Sequence, residues 1–176
     1  MNFHGTTILA VKHKGKTVVA GDGQVTLSNT VIKHRARKVR KIYNEKIIVG
    51  FAGATADAMH LSERLETKLE RFNGNLTRSA VELARDWRTD KYLRRLEAIM
   101  IAVDEMRIFL ISGNGDVIEP DEGVVAIGSG AVGAQAAATA LIKYADLDGR
   151  SIVEEAMKIA SSMCVFTNEY ITIEEL

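Results

Sequence analysis

The order of apolar segments in this chain of 176 residues predicts an α+β fold, a four-layer αββα sandwich. Two observations carry that prediction. Strand-like and helix-like segments are grouped as strands, two helices, strands, two helices and a last strand. Hydrophobic residues make up 47% of the chain and charged residues 26%, the balance of a globular protein able to bury a substantial core. Two packed sheets, each covered outside by a helix pair, would bury every apolar face described next.

The first strands are expected over Thr7–His13 and Thr17–Ala20, around the turn Lys14-Gly15-Lys16. Gly21-Asp22-Gly23-Gln24 makes a second tight turn. Short extended segments follow at Val25–Val31 and Val39–Tyr43. Ile47-Ile48-Val49-Gly50-Phe51-Ala52 is a fully apolar strand ending at Gly53. From about Ala54, the residues Ala58, Leu61, Leu65, Leu69 and Phe72 form one helical stripe, stopped by Asn73-Gly74-Asn75. Ala80, Leu83, Ala84 and Trp87 mark a second helix, capped by Asn75 or Thr77.

Strands return at Ile99–Val103 and Ile108–Ser112, with Gly113-Asn114-Gly115-Asp116 as the next turn and Val124–Ile127 as a buried strand. The single proline, Pro120, falls between strands, where a missing N–H does little harm. An alanine-rich helix covers Ala131–Ala145. Ser151-Ile152-Val153-Glu154 has a capping-box pattern that predicts the start of the last helix, with Ile152, Ala156, Ile159, Ala160 and Met163 inward. A final strand is expected at Tyr170–Ile173.

Bulk properties exclude several classes. Lysine plus arginine equals aspartate plus glutamate, so the formal charge is zero, which weighs against a general nucleic-acid or acidic-membrane partner. No apolar run approaches a membrane-spanning length. A single cysteine, Cys164, excludes an internal disulfide, and Met1–Gly5 lacks the apolar middle of a signal peptide, so a cytoplasmic location is expected. His4, His13, His34 and His60 lack metal-ligand spacing, and His60 reads as a helix-surface residue. Cys164 is expected to be a small buried side chain.

The chemistry concentrates at Gly5-Thr6-Thr7. If the Gly5–Thr6 bond is cut, Thr6 carries a hydroxyl nucleophile and a free α-amine whose reference pKa, about 7.7–8.0, makes it a usable base. Residues 1–5 are then a removable leader and residues 6–176 one domain. Alone, a Thr-rich strand start would be ordinary, Asp22 an ordinary turn residue, Lys38 one charge of a basic run and Ser129 a helix cap. Gly50, inside an apolar strand, signals close backbone approach.

Taken together, these residues resemble a known family. Thr6-Thr7-Ile8, Gly21-Asp22-Gly23-Gln24-Val25-Thr26, Asn29-Thr30-Val31 and Lys38-Val39-Arg40 are similar to the HslV family, proteasome-type peptidase subunits of a bacterial ATP-dependent protease. So are Gly50-Phe51-Ala52-Gly53, Asp86-Trp87-Arg88-Thr89-Asp90, Gly113-Asn114-Gly115-Asp116, Ala126-Ile127-Gly128-Ser129-Gly130 and the tail Thr172–Leu176. The matches span nearly the whole chain, and the five-residue leader departs from relatives that carry only the initiator methionine. The resemblance implies a threonine-type endopeptidase of the N-terminal nucleophile class. Thr6 would be nucleophile and, through its amine and a water, base. Lys38 would lower the pKa of both groups, Asp22 would orient Lys38, and Ser129 would hydrogen-bond near the amine. The N–H of Gly50 would stabilise the oxyanion.

The resemblance also implies a structural sodium ion on the carbonyls of Ser161, Cys164 and Thr167. It implies a homododecamer of two stacked hexameric rings, unfolded protein substrates and a hexameric ATPase partner, HslU. The chain has no P-loop, so ATP would be hydrolysed by that partner. The alternative is a catalytically silent ring subunit, disfavoured by the joint presence of Thr6, Asp22 and Lys38. Gly128-Ser129-Gly130-Ala131-Val132-Gly133 matches a dinucleotide fingerprint locally, but a helix follows where the fingerprint needs a parallel strand. The basic run Lys33–Lys41 lacks the interleaved aromatics of a nucleic-acid surface.

Overall fold

In strand β2 (Thr7–His13), preceded by β1 (Phe3–His4), successive side chains enter different cores: Leu9 and Val11 face one, Ile8 and Ala10 another. Strand β3 (Lys16–Asp22) divides likewise, Val18 and Ala20 to one side and Val19 to the other. Strands buried on both faces explain apolar runs without alternation. The structure, a computed structural model, describes residues 3–53, 55–96 and 98–176.

The chain continues through β4 (Val25–Leu27), β5 (Thr30–Lys33), β6 (Val39–Ile42) and β7 (Ile47–Gly53) into helices α1 (Thr55–Arg71) and α2 (Leu76–Thr89). A 3-10 turn at Leu93–Arg95 leads to β8 (Ala98–Val103), β9 (Ile108–Ser112), β10 (Val117–Ile118) and β11 (Val124–Gly128). Helices α3 (Ala131–Tyr144) and α4 (Gly149–Met163) and strand β12 (Ile171–Glu175) complete it. The expected helix start at Ala54 lies outside the described residues, as do Met1 and Asn2 of the leader.

Among the described residues, one sheet has the order β10-β9-β8-β7-β6, a second β11-β2-β3-β12, and a small third β1-β4-β5. Every pairing is antiparallel. The inter-sheet core joins Ile8, Ala10 and Val19 to Val39, Ile48, Ile101 and Val103. Outside the first sheet, Val49, Met100 and Phe109 meet Leu61, Leu65, Leu69, Leu83 and Trp87 of α1 and α2. Outside the second, Leu9, Val18 and Ala20 meet Ala134, Ala138, Ile152 and Ala156 of α3 and α4. This is the expected αββα sandwich, and it leaves no βαβ unit for a dinucleotide.

Several local expectations change. The segment Val25–Val31 is a hairpin of two strands, β4 and β5. Asn75, not Thr77, caps α2, accepting from the Arg78 N–H at 2.9 Å. The last helix starts at Gly149 with Asp148 as cap, because the Asp148 carboxylate takes the Ser151 N–H at 2.7 Å and places Ser151 inside the helix. Its buried stripe is Ile152, Val153, Ala156, Met157 and Ala160, whereas Ile159 and Met163 face outward. Cys164 is the half-buried cap of α4, and His60 lies on the helix surface as expected.

Candidate active site

Asp22 ends β3 fully buried, and three hydrogen bonds make its charge tenable there. Its Oδ1 accepts from the Thr7 N–H at 2.7 Å and from Lys38 Nζ at 2.8 Å, and its Oδ2 from the Gln24 N–H at 2.8 Å. Lys38, just before β6, has a side chain 9% exposed. Burial pulls its ammonium below the ordinary lysine value, and the charge and hydrogen bond of Asp22 partly oppose that pull. Lys38 Nζ also donates to the carbonyls of Gln24 at 2.6 Å and Gly5 at 2.7 Å.

Gly5 joins the expected leader to Thr6. Its carbonyl accepts from the Thr6 hydroxyl at 2.6 Å as well as from Lys38, so the reacting groups named from sequence share one oxygen. Gly5 has φ of +109°, and a side chain there would press on Gln24 O, Thr26 Oγ1 and Phe166 O. Phe3 and His4, within the expected leader, pair with Leu27 and Thr26, adding a strand beside β4. On the other side, the Ser129 N–H donates to the Thr6 carbonyl at 2.8 Å. Gly128 permits this approach: its φ is +96°, and a Cβ would lie 2.0 Å from the Thr6 oxygen.

Thr6 and Lys38 line a cleft of about 460 Å³, together with Phe51, Gly53, Met59 and Ser129. Arg37 and Arg40 also reach it, which distributes the basic run around an opening instead of a flat surface. Thr6, Asp22, Lys38 and Ser129 are therefore brought together. Gly50 is not: it is buried in β7 between β6 and β8, and a Cβ there would meet Ile8 Cγ2 at 2.6 Å. The close approach that its glycine signals is packing of the second sheet. The β7 glycine that lines the cleft is Gly53.

Of the three carbonyls expected to hold sodium, those of Ser161 and Cys164 lie where α4 ends. The last helical bond runs from the Cys164 N–H to Ala160 O, so Ser161 O lies beyond the helical ladder. Cys164 O accepts from the Thr167 N–H at 3.0 Å and keeps a second lone pair. Neutral oxygens at the negative end of a helix fit a weakly bound monovalent cation.

Some residues that brace this site carry no local sequence signal. Thr7 is fully buried, its hydroxyl accepting from the Gly130 N–H at 2.9 Å and sharing a 2.7 Å hydrogen bond with Thr167 Oγ1. Asn168 accepts from the Gly23 N–H at 3.2 Å and donates to His34 O at 3.0 Å. These bonds tie the segment after α4 to the turn that presents Asp22.

A sandwich of this topology, with a threonine at the head of β2 beside a buried Lys–Asp pair, defines a threonine-type peptidase of the N-terminal nucleophile class. The chain belongs to the proteasome subunit family, whose model matches residues 2–176. Within that family its relatives are "ATP-dependent protease subunit HslV" proteins. The one from Syntrophobacter fumaroxidans is 60% identical, covering 98% of this chain and 97% of its own. The one from Aquifex aeolicus is 60% identical over the full length of both. The crystal structure of eukaryotic HslV from Trypanosoma brucei superposes with a TM-score of 0.92 at 48% identity, covering 97% of this chain and 98% of that one.

Proposed function

We propose that this protein is the peptidase component of an ATP-dependent protease and cleaves unfolded polypeptides with Thr6 as N-terminal nucleophile. One observation carries the reading: the buried Lys38 ammonium, seated on Asp22 at 2.8 Å, points at the peptide group that joins Gly5 to Thr6. The names of the relatives support the same reading.

Activation begins with loss of residues 1–5. The Thr6 hydroxyl lies against the Gly5 carbonyl, whose oxygen Lys38 polarises. Attack of Thr6 Oγ1 on the Gly5 carbonyl carbon breaks the Gly5–Thr6 amide and forms an ester, and the hydroxyl proton passes to the departing nitrogen. Water then hydrolyses the ester, releasing the leader as a carboxylic acid. Thr6 keeps its hydroxyl and gains a free amine.

In the mature site that amine, through a water, takes the hydroxyl proton as Oγ1 attacks a substrate carbonyl. Lys38 holds the pKa of both groups down by its charge. The oxyanion forms against backbone N–H groups at the cleft end of β7, where Gly53 lies. The acyl-enzyme ester is hydrolysed by a second water. Substrate lies extended along the strand edges of the cleft, as the leader does beside β4.

The assembly is a homododecamer of two stacked hexameric rings in the cytoplasm, fed by the hexameric ATPase HslU. No helix among the described residues is long and apolar enough to cross a membrane. The carbonyls of Ser161, Cys164 and Thr167 would hold a sodium ion that fixes the segment after α4. The test is peptide hydrolysis with and without the ATPase. The peptidase alone should cut short peptides slowly and folded proteins not at all, and the ATPase with ATP should accelerate both. Peptidase rates unchanged by saturating ATPase and ATP would remove the activating partner from the account.

A further inference from the structure

Lys38 has three protons and three recorded acceptors: Asp22 Oδ1, Gln24 O and Gly5 O. Loss of the leader removes the Gly5 carbonyl. Of the three, Asp22 and Gln24 then remain to hold the ammonium, and the freed third proton faces the position of Thr6. The aim of that proton depends on where Gln24 holds its carbonyl.

Gln24 is built to hold it. The residue is 6% exposed, and both protons of its amide are used: Nε2 donates to Val165 O at 2.9 Å and to Thr26 Oγ1 at 3.0 Å. Its own N–H fixes Asp22 Oδ2 at 2.8 Å and its carbonyl takes Lys38 at 2.6 Å. One residue therefore grips both members of the charge pair through its peptide groups, anchored by its side chain to the segment after α4. Asn168 reinforces the anchor from that segment through the Gly23 N–H.

We propose that Gln24 is a positioning residue for peptide hydrolysis: its buried amide, fastened to Val165, sets the carbonyl that aims Lys38 at Thr6. The proposal rests on the reading of Thr6 and Lys38 given above. It makes the segment Cys164–Asn168, more than 120 residues from the nucleophile in sequence, part of the alignment of the reacting groups.

The test uses assembled protein whose chains begin at Thr6, verified by mass, assayed with a short fluorogenic peptide across pH. Gln24→Met keeps the length and apolar stem but removes both amide protons. It should lower kcat about 10- to 100-fold with KM within about twofold, as a misplacement of about 1 Å at a reacting centre does. The acid limb of the pH profile should move to higher pH, because a straying ammonium no longer holds down the pKa of the Thr6 amine. The other cationic groups lining the cleft, Arg37 and Arg40, are unaltered in these variants. Gln24→Glu, of the same size but without donors, should behave alike.

Adding Gln24→Met to Lys38→Ala should cost little beyond Lys38→Ala alone, because both act through one group. Wild-type kcat and an unmoved acid limb in Gln24→Met would overturn the proposal while leaving the peptidase reading intact, provided Lys38→Ala is slowed at least about 100-fold. A Lys38→Ala protein slowed less than that would overturn both. Failure of both Gln24 variants to assemble would also overturn it, since the residue would then serve stability alone.

Discussion

Thr6 and Thr7 are neighbours on one strand end, yet their hydroxyls have opposite surroundings. The Thr7 hydroxyl is fully buried between the Gly130 N–H and Thr167, whereas Thr6 lines the cleft and shares the Gly5 carbonyl with Lys38. Alternation of side chains at the head of β2 separates them: one faces the cleft and the next the helix α3 terminus.

Substitutions at the two threonines should therefore differ in kind. Thr6→Ala should abolish peptide hydrolysis while assembly and melting temperature stay near wild type, since it removes one accessible hydroxyl. Thr7→Ala should lower stability by about 1–3 kcal/mol, because the buried Gly130 N–H loses its acceptor. Thr7→Ser should recover most of that loss. Peptidase assays beside thermal unfolding check this, and substantial turnover by Thr6→Ala would remove the nucleophile assignment.

Lys38 should be the most sensitive member of the basic run. Lys38→Ala should reduce the rate by about 10²–10³-fold or more, the scale for losing a preorganised charge at a reacting group. It should also destabilise the fold by about 3–5 kcal/mol, because the buried Asp22 carboxylate is left without its counter-charge. Lys38→Arg should not restore activity, since a forked guanidinium cannot reproduce one ammonium shared among Asp22, Gln24 and the reacting group. Arg40→Ala and Lys41→Ala should be far milder. Equal losses at all three positions in one assay series would point to a general basic patch.

The pH profile should be bell-shaped. On the acid side, activity rises as the Thr6 amine loses its proton, with a midpoint at or below about 7.7–8.0. On the alkaline side, the sign follows from burial of Lys38. A lowered pKa means that the ammonium is lost at a pH below the ordinary lysine value of 10.5, so activity should fall before that value is reached. Steady-state rates between pH 6 and 11 decide it, and a plateau persisting beyond 10.5 would mean that the Lys38 charge is not required.

Much of the sandwich was legible because strands such as Ile47–Ala52 are apolar on both faces and helices such as α1 carry a single stripe. What escaped is what depends on partners distant in the chain. Strands β1 and β10 are two residues each, defined by pairing with β4 and β9 instead of by any pattern of their own. At α4, Ser151 and Glu154 form a fair capping box, but Asp148 three residues earlier captures the Ser151 N–H first. Ile152, Ala156 and Ala160 of the expected stripe are buried, but the face widens toward Val153 and Met157 and leaves Ile159 outside it.

The site divides in the same way. Thr6, Asp22 and Lys38 stand out as residue types suited to one reaction, and the structure joins them. Gly50 signalled a close approach that turned out to be Ile8 packing beneath it, while Gly53, three residues on, reaches the cleft. Gln24, Thr167 and Asn168 are tied to the site by hydrogen bonds to groups more than 130 residues away, and no local spacing encodes such contacts.

The central claim is that the Thr6 nitrogen must be an amine. While Gly5 is attached, that nitrogen is an amide without a basic lone pair, and the Gly5 carbonyl occupies both Lys38 and the Thr6 hydroxyl. The most direct measurement is intact mass paired with peptide turnover on the same preparation, before and after removal of Met1–Gly5. The account predicts no turnover from protein that retains all five residues, and activity that appears in proportion to the fraction of chains beginning at Thr6. Full turnover from protein whose mass still includes the leader would contradict it.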